Sequence, residues 1–164
     1  MKVLAGVGNG KVLVWKYIEG PWGGSAADEA YRGVIAKALK AEYPGRRSFT
    51  LLEDNDPSGF KSSKGRAAKK DEGIKVFEIP KRSPCLNICD YFLWSAVSRR
   101  MREQEKAFPS SKRETRAAFL KRLRRAALAI PSATVDAAVG DLKRRCLRLQ
   151  QAGGGNIEEG GKQA

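Results

Sequence analysis

The apolar positions change period along the chain, and the changes mark out its elements. Residues 2–7 and 11–18 are short β-rich runs on either side of Asn9-Gly10, the dipeptide best suited to a two-residue hairpin turn. Gly6, Gly8 and Gly10 have the alternating spacing of a phosphate loop, but no helix follows them, so the hairpin is favoured. After a turn at residues 21–24, Tyr31, Val34, Ile35, Ala38 and Leu39 recur at helical spacing. They predict a helix over residues 26–42, with Asp28 and Glu29 in its first turn and Pro44-Gly45 ending it. Residues 48–52 predict a buried strand, residues 60–70 a short exposed basic helix, and residues 74–79 a second buried strand closed by Pro80. Residues 81–89, which include Pro84, predict an irregular loop.

From Asp90 to about Gln151 the period is helical throughout. Leu93, Trp94, Val97 and Met101 form one stripe, stopped at Phe108-Pro109. Ser111 and Glu114 have the spacing of a capping box for the next helix. That helix places Leu120, Leu123, Ala127 and Ile130 on one face and Lys121, Arg122, Arg124 and Arg125 elsewhere. Pro131-Ser132 opens a third helix, whose stripe is Val135, Val139, Leu142, Cys146 and Leu149. The order of hairpin, helix, strand, helix, strand and helices predicts an α/β fold with one mixed sheet flanked by helices. Residues 1–108 form the sheet domain, residues 109–151 a basic helical extension, and residues 152–164, with five glycines, a disordered tail.

Composition narrows the chemistry. The chain of 164 residues has no His, which excludes Ser-His-Asp and Cys-His catalysis and His-ligated zinc. No apolar run approaches the roughly 20 residues that span a bilayer, so no membrane partner is expected. Three cysteines, an odd number, point away from a disulfide framework and toward a reducing, intracellular setting, the nucleus if the source is eukaryotic. With no His and no CxxC, they also make a poor zinc site. The net charge of +14 is uneven: residues 1–90 hold 16 Lys+Arg and 11 Asp+Glu, whereas residues 91–150 hold 15 and 5. A 60-residue basic stretch of one sign suits a phosphate backbone, because each neutralised phosphate releases counterions.

Two carboxylates stand out against that basic background. Asp54 follows the end of an apolar strand, where open α/β sheets place their sites, and Asp90 heads a helix 36 positions later. Converging from those ends, they are hard oxygen ligands suited to Mg²⁺ or Mn²⁺. A turn Asp and an N-cap account for the same two residues without any metal. Asp54, Asp56 and Gly59 mimic the start of a calcium loop, but Gly65 stands where its closing Glu belongs.

The surrounding sequences add to this. Leu51-Leu52-Glu53-Asp54-Asn55-Asp56-Pro57-Ser58 resembles the motif around the second catalytic Asp of mariner-like transposases. Ser83-Pro84-Cys85-Leu86-Asn87-Ile88-Cys89-Asp90-Tyr91-Phe92-Leu93-Trp94 resembles the motif around their third acid, at a similar separation. The run from Lys11 to Trp15, with Tyr31 on the following helix, resembles the segment between that family's first and second acids. The departures are Gly59 in place of the usual His, Asp56 in place of a small residue, Cys85 in place of Asp, and Ile88 in place of Pro.

The resemblance implies a ribonuclease H-like domain of the DDE/DDD superfamily, which nicks and joins DNA strands with divalent metal. Asp54 would be the second acid and Asp90 the third, both metal ligands, with Asn55 and Pro57 shaping the turn and Trp94 packing. The family's first acid lies on an opening strand. The chain starts at what resembles the second strand, so the resemblance implies an N-terminally truncated sheet, weak metal binding and impaired activity. Glu19 is the only nearby substitute. DNA is the implied partner, with a homodimer left open. Arg99, Arg100, Arg102, Lys121, Arg122, Arg124, Arg125, Lys143, Arg144 and Arg145 are the candidate phosphate contacts. A non-catalytic DNA- or RNA-binding protein, and a structural protein of a ribonucleoprotein, are the alternatives.

Overall fold

Two short sheets lie between layers of helix in the computed structural model, which describes residues 2–106 and 113–154. The first sheet is the hairpin of β1 (Lys2–Gly8) and β2 (Lys11–Ile18), turned through Asn9 and Gly10, both at positive φ as the tight turn requires. Its register shifts between Gly6 and Val7, which pair with Val14 and Val12. Leu13 is therefore an extra residue, and such a bulge reverses the face presented by the residues on its far side. Val12 accordingly packs with Leu93, Val97 and Ile130 on one side, while Val14 packs with Tyr31, Ile35 and Leu39 on the other.

The second layer is a long helix in three consecutive parts: α1 (Gly24–Ala30), a π-helical turn (Tyr31–Ile35) and α2 (Ala36–Glu42). Because it starts at Gly24, Asp28 lies beyond the first turn, where it pairs with Arg32 one turn later. Then β3 (Phe49–Glu53) runs parallel to β4 (Ile74–Glu78), joined through α3 (Ser63–Asp71). Contrary to expectation, α3 is not simply exposed. It buries Gly65, Ala68 and Lys69 against α1, because small residues three apart let the backbones approach. A Cβ on Gly65 would meet the Gly59 carbonyl oxygen at 2.5 Å.

After a 3₁₀ turn (Pro84–Leu86), a second π-helical turn (Cys89–Leu93) leads into α4 (Trp94–Glu105), followed by α5 (Arg116–Leu128) and α6 (Ser132–Gln151). These last two helices share a core with the hairpin: Ala126, Ala127, Ile130 and Val135 are buried together with Val12 and Leu93. Tyr17 on β2 donates its hydroxyl to the Leu120 carbonyl, and Tyr91 donates to Ala138 at 2.8 Å. The cap of α5 is Thr115, whose hydroxyl accepts from Ala118 N–H, rather than a box begun at Ser111. Glu114 pairs instead with Arg122. Ser111, Phe108-Pro109 and residues 155–164 of the expected tail lie outside the described residues. The α6 stripe is buried at Val135 but exposed at Val139 and Cys146.

The single mixed sheet expected from the order of elements is two sheets, β1-β2 and β3-β4, with no pairing between β1 and β3. The order of elements fixes which strands are neighbours along the chain. It does not fix how far apart two helix layers hold two strand edges.

Candidate active site

Asp54 and Asp90 line the same pocket, together with the start of β1 (Lys2, Leu4), the end of β3 and Trp94. Each reaches it by a different device. Asp54 is the first residue beyond β3 and sits in a turn built by its neighbours. Its Oδ1 accepts from Asp56 N–H at 3.3 Å, and Asn55 donates to the Ile79 carbonyl at 2.6 Å, tying the turn to the end of β4. Asp56 is consumed by the turn itself, accepting from Trp22 Nε1 at 2.8 Å, Gly59 N–H at 2.7 Å and the Ser58 hydroxyl at 2.7 Å. Asp90 lies in the π-helical turn, and it is not the cap. Asn87 takes that role, its side chain accepting from Cys89 N–H at 3.1 Å and its carbonyl from Asp90 N–H at 2.9 Å. The Asp90 carboxylate is left to face the pocket, where Trp94 Nε1 reaches it at 3.3 Å. A π-helical turn inserts a residue into a helix and re-aims a side chain.

The electrostatics agree with that placement. Asp54 is exposed at the pocket mouth, yet its pKa is raised, first by partial desolvation and then by Asp56 and Asp90, against the lowering hydrogen bond from Asp56 N–H. The Cys89 thiol is pushed up to about 12, mainly by burial and further by Asp90 and Asp54. Cys89 therefore stays protonated and reaches the Ala5 carbonyl at 3.7 Å. Two acids that each raise a neighbour's pKa put negative charge into one pocket, a condition a divalent ion relieves. Mg²⁺ is commonly held by one or two carboxylates, with water and substrate phosphate completing its shell, so this pair fits such an ion. Among the described residues no third His, Cys, Asp or Glu converges with them. Glu19 is exposed and does not line the pocket.

Behind Asp54 lies a network that the sequence did not suggest. Glu53 accepts from both the Lys69 ammonium and the Tyr31 hydroxyl, and Lys69 also donates to the Phe60 carbonyl at 3.0 Å. Lys69 is 5% exposed and lies 5.1 Å from the centre of the Tyr31 ring. Burial, followed by Glu53, raises the Tyr31 pKa and keeps its hydroxyl a donor. A Cβ on Gly59 would meet Trp22 Nε1 at 2.2 Å, so the indole holding Asp56 fills the space a side chain would need there. Trp94 packs edge-on against Trp15 with ring centres 6.0 Å apart.

The basic candidates are not one cluster. Arg99 and Arg102 are exposed along α4, Arg100 is half-buried, and none of the three lines the carboxylate pocket. At 1.5 Å per helical residue, Arg99 stands ~13 Å along the axis from Asp90. Lys121, Arg124, Arg125 and Lys143 are exposed. Arg122 is bound to Glu114 at 2.7 Å and Glu105 at 3.4 Å, Arg144 to Asp141 at 2.6 Å, and Arg145 to Asp141 at 2.8 Å while lying 4.0 Å over the Tyr91 ring.

The carboxylate pocket lies at a strand end and a helix start, in a mixed α/β fold of the ribonuclease H-like class. No family model and no curated protein matches the chain. Solved structures do match: the fold is that of the mariner transposase catalytic domain. The Mos1 transposase catalytic domain with raltegravir and Mg superposes with a TM-score of 0.80 at 15% identity, covering 95% of this chain and 76% of that one. The Mos1 mariner catalytic domain crystal structure gives 0.76 at 16% identity, covering 95% and 75%. The Mos1 mariner paired-end complex with Mn gives 0.73 at 16% identity, covering 92% of this chain and 43% of that one.

Proposed function

We propose that the protein is a transposase-derived domain whose substrate is the DNA phosphodiester, with Asp54 and Asp90 as its divalent-metal ligands. The observation that carries this is the meeting of those two carboxylates in one pocket, in the fold of a mariner catalytic domain. The similar structures include one with Mg, one with Mn and one of a paired-end complex, which supports divalent metal and DNA as the ligand classes. Bound there, a divalent ion would activate an attacking oxygen and stabilise the leaving oxygen of a phosphodiester. Asp54 and Asp90 hold the position by being aimed from a fixed turn and a π-helical turn. Cys89, protonated, adds no negative charge. The Tyr31–Glu53–Lys69 network keeps the end of β3 in place.

With two converging acids among the described residues, metal affinity and strand transfer are weak. Exposed Lys121, Arg124, Arg125, Lys143, Arg99 and Arg102 supply phosphate contacts. Arg122, Arg144 and Arg145, already held by carboxylates, are structural first.

Manganese titration followed by electron paramagnetic resonance tests the site, alongside metal-dependent nicking of supercoiled DNA. Mn²⁺ binding and any nicking are expected to fall together in Asp54→Asn and in Asp90→Asn. Binding and nicking unchanged in both variants would overturn the proposal. DNA binding that persists where Mn²⁺ binding is absent even in the parent protein would favour a non-catalytic nucleic-acid-binding role.

A further inference from the structure

A basic groove lies between α3 and the unpaired edge of β4. Residues 73–76 border it in unbroken succession. A strand face would contribute alternate residues, so β4 meets the groove with its edge. Ladder geometry says which backbone groups that edge presents. The Phe49 N–H donates to the Gly73 carbonyl at 3.0 Å, and in a parallel ladder alternate residues direct both backbone groups to the same neighbour. Lys75 and Phe77 therefore turn theirs to β3, while Ile74, Val76 and Glu78 turn theirs outward.

The side chains beside that edge are sorted by face. Ile74 shares a core with Ala68 of α3, so even-numbered side chains of β4 face α3 and odd-numbered ones face away. On the α3 face, Arg66 and Lys70 line the groove, both exposed and neither in an ion pair among the described residues. On the other face Phe77 is 59% exposed, next to exposed Lys75. Arg66 and Lys70 stand ~6 Å apart along the helix axis, and alternate residues of a strand are ~6.6 Å apart. A strand added to this edge thus sets successive side chains of one face opposite successive cations.

Charge and backbone together select the occupant. A DNA phosphate matches the cations but has no donor for the outward carbonyls of Ile74, Val76 and Glu78. A second copy paired through the same edge brings Arg66 and Lys70 beside their own counterparts, like charge against like. We propose that the β4 edge docks an extended acidic segment of another protein, with carboxylates at alternate positions facing α3 and apolar residues between them beside Phe77. Backbone pairing supplies the affinity, and the alternation of side chains supplies the selectivity. The same cations discourage pairing with a neutral strand.

The inference is independent of the phosphodiester chemistry, and its test uses the full chain without metal. The probe is an end-blocked peptide of about seven residues alternating Glu and Val, with a twin carrying Lys for Glu. Two further copies are N-methylated on alternate amides, in opposite phases. Backbone hydrogen exchange is followed by NMR. The Glu peptide is expected to slow exchange roughly tenfold at Ile74, Val76 and Glu78, leaving Lys75, Phe77 and residues 2–8 unchanged. Only one methylated phase should keep this effect, because methyl groups on the pairing side remove the donors that β4 needs. The Lys twin should do nothing. Arg66→Glu should weaken peptide binding about tenfold, and Lys64→Glu, on α3 but outside the groove, should leave it unchanged. No protection by the Glu peptide, equal binding by both methylated phases, or protection of these amides by duplex DNA alone would overturn the inference.

Discussion

Lys69 donates to Glu53 from inside the fold, one residue before Asp54. The ion pair joins α3 to the end of β3, and the Tyr31 hydroxyl reaches the same carboxylate from the π-helical turn of the long helix. Three elements therefore fix the strand end from which Asp54 projects. Lys69 is paired with Glu53, and the charges that shift Asp54 are those of Asp56 and Asp90.

Removing one member of a buried pair strands the other. Lys69→Met is expected to cost ~3–5 kcal/mol of stability, because the Glu53 side chain would lose its cation and keep only the Tyr31 hydroxyl as partner. The double variant Lys69→Met with Glu53→Gln should recover part of that loss, since neither buried charge then remains. Urea unfolding of the two proteins checks this. A loss under about 1 kcal/mol in the single variant would mean that the pair behaves as a surface salt bridge.

Asp54 carries a raised pKa, and the sign of its effect follows from that. A carboxyl whose folded pKa exceeds its unfolded value of about 3.9 favours folding while protonated and loses that contribution as pH rises through the folded pKa. Asp54→Asn should therefore unfold at a higher temperature than the parent protein at neutral pH, and the difference should vanish below about pH 3.5. Mg²⁺ should raise the parent's melting temperature and narrow the gap at neutral pH. A melting temperature that falls on substitution would show Asp54 to be a stabilising turn residue.

Much of this was legible in the residues. Asn9-Gly10 announced the hairpin, apolar runs announced β3 and β4, and motif spacing picked out Asp54 and Asp90. The buried lysine was not, because a segment with Lys64, Arg66, Lys69 and Lys70 resembles a wet helix. Gly65 and Ala68, three apart, were the signal that one side of it packs. Nor did the order of elements reveal two separate sheets, since alternation along a strand says which side chains face a layer and nothing of what lies beside its edge. The carboxylates pairing with Arg122 and Arg145 sit near them in sequence, yet a cluster of charge does not say which members are already satisfied.

Gly59 stands where the mariner-like motif carries His, and the structure gives the reason: Trp22 lies over it. Gly59→Ala should push the indole away from Asp56, at ~1–3 kcal/mol for overpacking and with loss of the 2.8 Å hydrogen bond. Trp22 fluorescence, isolated by comparison with Trp22→Phe, should shift to the red. An unshifted spectrum with unchanged stability would mean that the turn absorbs a methyl group without moving the indole.

Basic residues divide by what they already touch. Lys121, Arg124 and Arg125 are exposed on α5 and make no ion pair among the described residues, whereas Arg122 between them is held by Glu114 and Glu105. Replacing Lys121, Arg124 and Arg125 with Ala should leave the melting temperature unchanged, weaken binding to duplex DNA, and flatten the dependence of log affinity on log salt by about 0.9 for each phosphate no longer neutralised. Arg122→Ala should do the reverse, lowering stability and leaving the salt slope intact. Fluorescence anisotropy of labelled DNA over a salt series, beside thermal unfolding, separates the two. A salt slope that the triple variant leaves unaltered would move the DNA surface off α5, with exposed Arg99 and Arg102 on α4 next to be replaced.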